Sequence, residues 1–136
     1  MRKTFFAVAA TVALLFGFAG TATAWSPDQA AVNRYGTTVY VSGTAGADTI
    51  SVHVTEEDRV RVEASEGLLV GYGGCQRLSA IAADCGPAEG VTTRIGLGDG
   101  DDTLDVENGL KDTVDAGAGV DSVKRDQGDT VVNAET

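Results

Sequence analysis

The stretch GLGDGDDTLDV, residues 96–106, places four aspartates within seven positions of the chain. Like charges this close repel one another and oppose compact folding. Glycines accept the positive φ of a tight turn without a steric penalty. The closing letters TLDV alternate between polar and apolar residues, which is typical of a half-buried strand. We therefore expect a glycine turn that leads into a strand and carries carboxylates in need of a counter-charge.

A short phrase from this stretch recurs along the chain. It consists of Asp, then Thr or Ser, then an aliphatic residue, and glycines precede the Asp in several copies. The copies begin at Asp48, Asp102, Asp112, Asp121 and Asp129. The last four lie 8–10 residues apart, which indicates a repeat rather than a chance recurrence.

A unit of about nine residues can form one turn and one short strand, so that two units complete one coil. Units two apart then stack, with Asp102 over Asp121 on one edge and Asp112 over Asp129 on the opposite edge. The space between the strands would be filled by Leu104, Val114, Val123 and Val131. The sequence thus predicts an all-β protein with a short parallel β-roll (a β-solenoid) at the C-terminus, preceded by a β-hairpin and further strands.

Each edge of such a coil would be a column of carboxylate and turn-carbonyl oxygens. Calcium takes 6–8 oxygen ligands at about 2.3–2.6 Å in irregular geometry, whereas magnesium demands a near-ideal octahedron and keeps its water. Because the column repels itself without a cation, we expect calcium binding to be coupled to folding. An EF-hand is excluded, since loops that start at Asp99 or Asp105 have leucine where glycine is required.

Two of the units, GLGDGDDTL and DAGAGVDSV, resemble the haemolysin-type (RTX-like) calcium-binding nonapeptide repeat, G-G-x-G-x-D-x-aliphatic-x. The resemblance covers residues 96–134 and, more weakly, residues 39–52. The chain also resembles the small secreted Gram-positive bacterial proteins with this repeat. The resemblance implies a parallel β-roll with calcium in the turns. The ligands it implies are Gly98, Gly100 and Asp102 in one turn and Gly117, Gly119 and Asp121 in the next.

The edge with Asp112 and Asp129 departs from this pattern. Asn108 and Leu110 stand at its glycine positions, and Lys111 adds a positive charge beside the turn. The sequence therefore predicts that the edge with Asp102 and Asp121 is the stronger calcium site.

The first 24 residues have the three-part pattern of a secretory signal peptide. Arg2 and Lys3 precede the apolar run 5–20, and Ala22-Thr23-Ala24 supplies a cleavage site. The alternative is an uncleaved anchor, since the run is nearly long enough to span a bilayer. Cleavage after Ala24 predicts a secreted, extracellular protein with no membrane contact thereafter.

The remaining chain would be strongly acidic, with eight basic and twenty acidic residues and a net charge of about −12. This charge excludes nucleic acid as a partner, because phosphates would be repelled. Cys75 and Cys85 form an even pair in a secreted chain, which predicts a disulfide. Two cysteines do not supply the four ligands of a structural zinc site.

The predicted organisation has three parts after the signal peptide. Residues 25–36 would form a flexible N-terminal arm, residues 37–95 a β-strand segment with the Cys75–Cys85 disulfide, and residues 96–136 the calcium-binding repeats. Within the second part, ISVHV and RVRVE alternate with period two around a turn at 55–58, which predicts a β-hairpin.

No enzymatic signature is present in the sequence. It has no G-x-S-x-G elbow or metalloprotease helix, and His53 alternates with valines in a predicted strand. Two hypotheses remain: a secreted calcium-binding protein, or a metal-independent structural or adhesive extracellular β-solenoid. The second stays open because stacked repeats usually need three or more units. The sequence identifies no protein or carbohydrate partner.

Overall fold

The computed structural model describes residues 29–134, and this range forms twelve β-strands without a helix. The strands are β1 (Ala30–Tyr35), β2 (Thr38–Ser42), β3 (Thr49–Val54), β4 (Arg59–Ala64), β5 (Leu68–Gly73), β6 (Gln76–Arg77), β7 (Ala82–Pro87), β8 (Thr92–Gly96), β9 (Thr103–Val106), β10 (Lys111–Asp115), β11 (Ser122–Arg125) and β12 (Thr130–Val132). The all-β prediction is confirmed. Within the described range, no helix has the length and apolarity needed to cross a membrane.

The strands form two mixed sheets of six. One has the order β12-β10-β8-β2-β1-β5 and the other the order β11-β9-β3-β4-β7-β6. From β8 to β12 the chain alternates between the sheets, and every pairing among these strands is parallel. Strands β2 and β3 join the same parallel ladders. Strands β4 to β7 therefore interrupt the alternation as an insertion. Within it, β4, β6 and β7 pair antiparallel, whereas β5 pairs parallel with β1.

The register of the parallel ladders follows the repeated phrase. Thr49 lies opposite Thr103, and Thr103 lies opposite Ser122, so the residues after three aspartates are neighbours across the sheet. Because these positions come from three separate turns, the turn at Asp48 forms the first tier of a stack, ahead of those at Asp102 and Asp121.

The core lies between the sheets and is built from the inward-facing positions of the strands. Leu104 and Val114 are fully buried, whereas Val123 and Val131 are only partly buried. The difference follows from topology, because β11 and β12 are the edge strands of their sheets. Each fully buried aliphatic side chain contributes roughly 1.5–3 kcal/mol relative to exposure.

Two local predictions for residues 37–95 are confirmed. Strands β3 and β4 pair antiparallel with Val54 opposite Val60, so that residues 55–58 form the hairpin turn. Cys75 and Cys85 form a disulfide, which joins the residue before β6 to the middle of β7.

The predicted flexible arm over residues 25–36 is wrong for Ala30–Tyr35. These residues form β1, which pairs with β2 on one side and β5 on the other. Ala30, Ala31 and Val32 are all buried, so both faces of this strand are covered. A strand covered on both faces shows an apolar run instead of period-two alternation. Residues 25–28, the predicted signal peptide 1–24 and the last two residues of the predicted repeat segment lie outside the described residues.

The close stacking of the turns can be tested with two glycine variants. Gly109 and Gly117 have φ of 81° and 78°, but only Gly117 has a backbone atom, the Gly98 carbonyl oxygen, where a Cβ would lie. Gly109→Ala should lose about 1–2 kcal/mol of unfolding free energy through backbone strain. Gly117→Ala should lose about 1–3 kcal/mol more through the added clash. Urea unfolding followed by circular dichroism measures both losses, and equal losses would contradict close stacking.

Candidate metal centre

The first column of carboxylates runs along the edge where the chain passes from the first sheet to the second. The backbone N–H of Asp48 donates to Asp102 Oδ1 at 2.8 Å, and the N–H of Asp102 donates to Asp121 Oδ1 at 2.9 Å. These pairs are separated by 54 and 19 residues in the chain. The stacking of Asp102 over Asp121 that the repeat predicts is therefore present, with Asp48 as a further tier.

Two oxygens of this column lack a partner. Asp102 and Asp121 are each 1% exposed, and the Oδ2 atom of each is buried without a hydrogen bond. Leaving a buried polar group unpaired costs about 1–3 kcal/mol, and more for a charged group. A proton or a cation at these atoms would remove that cost.

Asp48 differs from Asp102 and Asp121 because both of its carboxylate oxygens accept hydrogen bonds from its own turn. The N–H of Thr44 donates to Asp48 Oδ2 at 2.7 Å, and the Thr44 hydroxyl donates to Oδ1 at 3.0 Å. The first tier therefore closes the column with a threonine and leaves the unpaired oxygens on the two lower tiers.

The glycines of the two lower turns adopt the conformation that the repeat predicts. All four have positive φ: Gly98 (86°), Gly100 (101°), Gly117 (78°) and Gly119 (114°). The Gly98 and Gly100 carbonyl oxygens lie where Cβ atoms of Gly117 and Gly119 would be. Two carbonyl oxygens are thus directed at the turn that carries Asp121.

The second column lies on the opposite edge, where the chain returns from the second sheet to the first. The N–H of Asp112 donates to Asp129 Oδ1 at 2.9 Å, and the Thr93 hydroxyl donates to Asp112 Oδ1. Asp112 is 2% exposed, and its Oδ2 atom is also buried without a partner. The predicted stacking of Asp112 over Asp129 is present, and a threonine again closes the upper end.

Asp126 is the residue that the sequence analysis missed. One carboxylate oxygen from each of Asp112, Asp126 and Asp129 lies within 4.8 Å of the others. The N–H groups of Asn108 and Gly109 hold Asp126 through its Oδ2 atom, at 2.8 and 2.7 Å. The signal available in the sequence was the spacing of three between Asp126 and Asp129, which places both in the final turn.

Burial dominates the electrostatics of both columns. It raises the pKa of Asp102 to about 7, aided by the Asp48 and Asp121 carboxylates and opposed by the Asp48 N–H. It raises the pKa of Asp112 to about 6, opposed by the Thr93 hydroxyl and aided by Asp129 and Asp126. Burial also raises the pKa of Asp48, although its bonds to Thr44 oppose the rise. A cation at either column would therefore compete with a proton.

Within residues 29–134, basic side chains form no ion pair with these columns. The ion pairs in this range join Arg59 to Asp84, and Lys124 to Asp105 and Glu107. None of these acids belongs to a column. The donor set of both columns is oxygen alone, which suits a hard cation such as calcium.

Comparison of the chain with protein-family models, with curated protein sequences and with solved structures gives no significant match.

The raised pKa values predict an unusual pH dependence of stability in chelator. The folded-state pKa of Asp102 is about 7 against 3.8 unfolded, so the proton is fully held in both states below pH 3.8. As the pH rises from about 4 to about 7, only the folded state keeps it, and the unfolding free energy falls. One pKa unit corresponds to about 1.4 kcal/mol.

Urea unfolding in chelator between pH 4 and pH 8 measures this loss. Asp102→Asn should remove the part that Asp102 contributes and leave the smaller part from Asp112, whose pKa is about 6. Asp84 provides a check on the sign, because Arg59 lowers the pKa of its carboxyl below 3.8. The contribution of Asp84 to the unfolding free energy is therefore lost only as the pH falls below about 3.8. A wild-type unfolding free energy that stays constant between about pH 4 and pH 7 would contradict the assigned burial.

Proposed function

We propose that this protein is a secreted calcium-binding protein whose strands form a short parallel β-roll, and that calcium completes its folding. The observation that carries the proposal is the pair of buried, unpartnered Oδ2 atoms on Asp102 and Asp121. A divalent ion between their tiers would give both atoms a partner and would offset the repulsion between the carboxylates.

The strand order supports the β-roll part of this proposal. Strands β8 to β12 alternate between two sheets and pair in parallel. The aspartates of successive tiers are linked at separations of 19 and 17 residues, close to twice the length of the nine-residue unit. Such a coil carries its turns on two edges, which is where both carboxylate columns lie.

The glycine turns support calcium over magnesium. Carbonyl and carboxylate oxygens at irregular positions suit the 6–8 ligands that calcium accepts, whereas magnesium needs an octahedron. The resemblance to the haemolysin-type repeat and the predicted signal peptide point to the same ion in an extracellular setting. Extracellular calcium modules bind with dissociation constants of about 10⁻⁴–10⁻³ M, and we expect this range.

The burial of the columns favours binding over catalysis. A carboxylate that is 1% exposed cannot reach an external substrate, so Asp102 and Asp121 are suited to hold an enclosed ion. We therefore propose a binding role, rather than a catalytic one, for these two carboxylates.

A second candidate function is a metal-independent structural or adhesive β-solenoid at the cell surface. It is favoured by the hydrogen bonds within the columns, since Asp102 and Asp121 each accept a backbone N–H through Oδ1 without any ion. A proton on the second oxygen would then satisfy the column. The two functions differ in how the fold responds to calcium.

Calcium should stabilise the purified protein, because the ion binds the folded state alone. At a concentration of about 100 times the dissociation constant, the unfolding free energy should rise by about 2.7 kcal/mol. Replacing both Asp102 and Asp121 by asparagine keeps hydrogen-bond acceptors but removes two charges, and should abolish the part of this gain that comes from the first edge. Urea unfolding with and without calcium measures the gain.

Asp115→Asn is the matched control, because this exposed aspartate also accepts a backbone N–H, from Gly117, outside either column. Its calcium response should equal that of the wild type. A calcium-indifferent wild type would reject the proposal in favour of the metal-independent candidate. An unchanged calcium isotherm in the double variant would reject the assignment to Asp102 and Asp121.

A further inference from the structure

The final turn of the second edge contains a carboxylate for which the nonapeptide pattern has no role. Asp126 lies three residues before Asp129 and reaches the turn of the coil above, where the N–H groups of Asn108 and Gly109 donate to its Oδ2 atom. The N–H of Asp126 in turn donates to Asp129 Oδ2 at 2.8 Å. Asp126 therefore connects two coils and is held in place from both.

Asp112 supplies an independent sign that a ligand belongs at this point. It is 2% exposed, and its Oδ2 atom is buried without a hydrogen bond. Oxygens of Asp112, Asp126 and Asp129 lie within 4.8 Å of one another, and no ion pair within 4.0 Å neutralises any of the three among residues 29–134.

We propose that Asp112, Asp126 and Asp129 form a second calcium site that is built from three carboxylates rather than from glycine-turn carbonyls. The inference rests on the proposed function for the identity of the ion, whereas the site itself is separate from the Asp102 and Asp121 tiers. Asp126 is the ligand that distinguishes this site.

The chemistry of the ligands favours calcium. Calcium accepts oxygen ligands in irregular geometry at about 2.3–2.6 Å, whereas magnesium demands a near-ideal octahedron. The three carboxylate oxygens lie within 4.8 Å of one another, a separation that a calcium shell of these distances can span. Because three carboxylates converge here, we expect tighter binding than at the two carboxylates of the first edge.

This expectation reverses the order of calcium affinity that the repeat pattern predicts for the two edges. The missing glycines at Asn108 and Leu110 weaken the second edge as a carbonyl site. Asn108 nevertheless contributes in another way, because its backbone N–H positions Asp126. At the second edge, a third carboxylate therefore takes the place of the turn carbonyls as a calcium ligand.

The test is a calorimetric titration of the purified protein with calcium alone, applied to three asparagine variants. The wild type should show two binding events. Asp126→Asn should weaken the tighter event by about tenfold or more, since ligand charge sets affinity in such sites. Asp121→Asn should weaken the other event, and Asp115→Asn should change neither.

The outcomes separate this inference from the proposed function. If Asp126→Asn changes nothing while Asp121→Asn removes an event, the three-carboxylate site is wrong and the turn site stands. If only Asp126→Asn removes an event, the turn site is wrong and the three-carboxylate site stands. A wild type that binds no calcium overturns both.

A second measurement does not depend on how well the variants fold. In the wild type, the side-chain carboxyl ¹³C signals of Asp112 and Asp126 should shift with stoichiometric calcium. Signals that stay fixed while calcium binds elsewhere would overturn the site.

In Asp126→Asn, hydrogen exchange at the Asn108 and Gly109 amides reports whether the turn is intact, because both amides bond to residue 126.

Discussion

The fold depends on a hydrogen bond between a backbone N–H of one turn and a buried carboxylate of the neighbouring turn. In both columns an aspartate N–H in one tier donates to Oδ1 of the aspartate below, as between Asp102 and Asp121 or Asp112 and Asp129. The bond holds neighbouring turns in register and keeps the carboxylate in the interior. Burial in turn removes water from the second carboxylate oxygen. That oxygen then lacks a partner unless a proton or a cation binds it.

Each column has a threonine at its upper end and at least one carboxylate oxygen without a hydrogen-bond partner. The Thr44 and Thr93 hydroxyl groups donate to Oδ1 of the uppermost carboxylates, Asp48 and Asp112. The unpaired oxygens are the Oδ2 atoms of Asp102, Asp112 and Asp121. Burial raises the pKa of Asp102 and Asp112 toward neutrality, which makes the metal-free protein sensitive to pH where a loaded site would be insensitive.

Local patterns in the sequence predicted the hairpin, the disulfide and the stacking of the aspartates, because period two and repeat spacing translate directly into register. They did not predict β1, since consecutive residues of this strand are buried and it therefore shows no period-two alternation. They also missed Asp126, because its partners Asn108 and Gly109 lie 17–18 residues away and the last unit is shorter than the others. Unpaired oxygens could not be predicted at all, because burial depends on strands distant in the sequence.

The most direct test of the central claim is the position of calcium in crystals grown with the ion. Anomalous scattering should place calcium at about 2.3–2.6 Å from the Oδ2 atoms of Asp102 and Asp121, the atoms that lack a partner. A well-ordered structure in calcium without an anomalous peak there, and with both oxygens bonded to protein or water, would contradict the account.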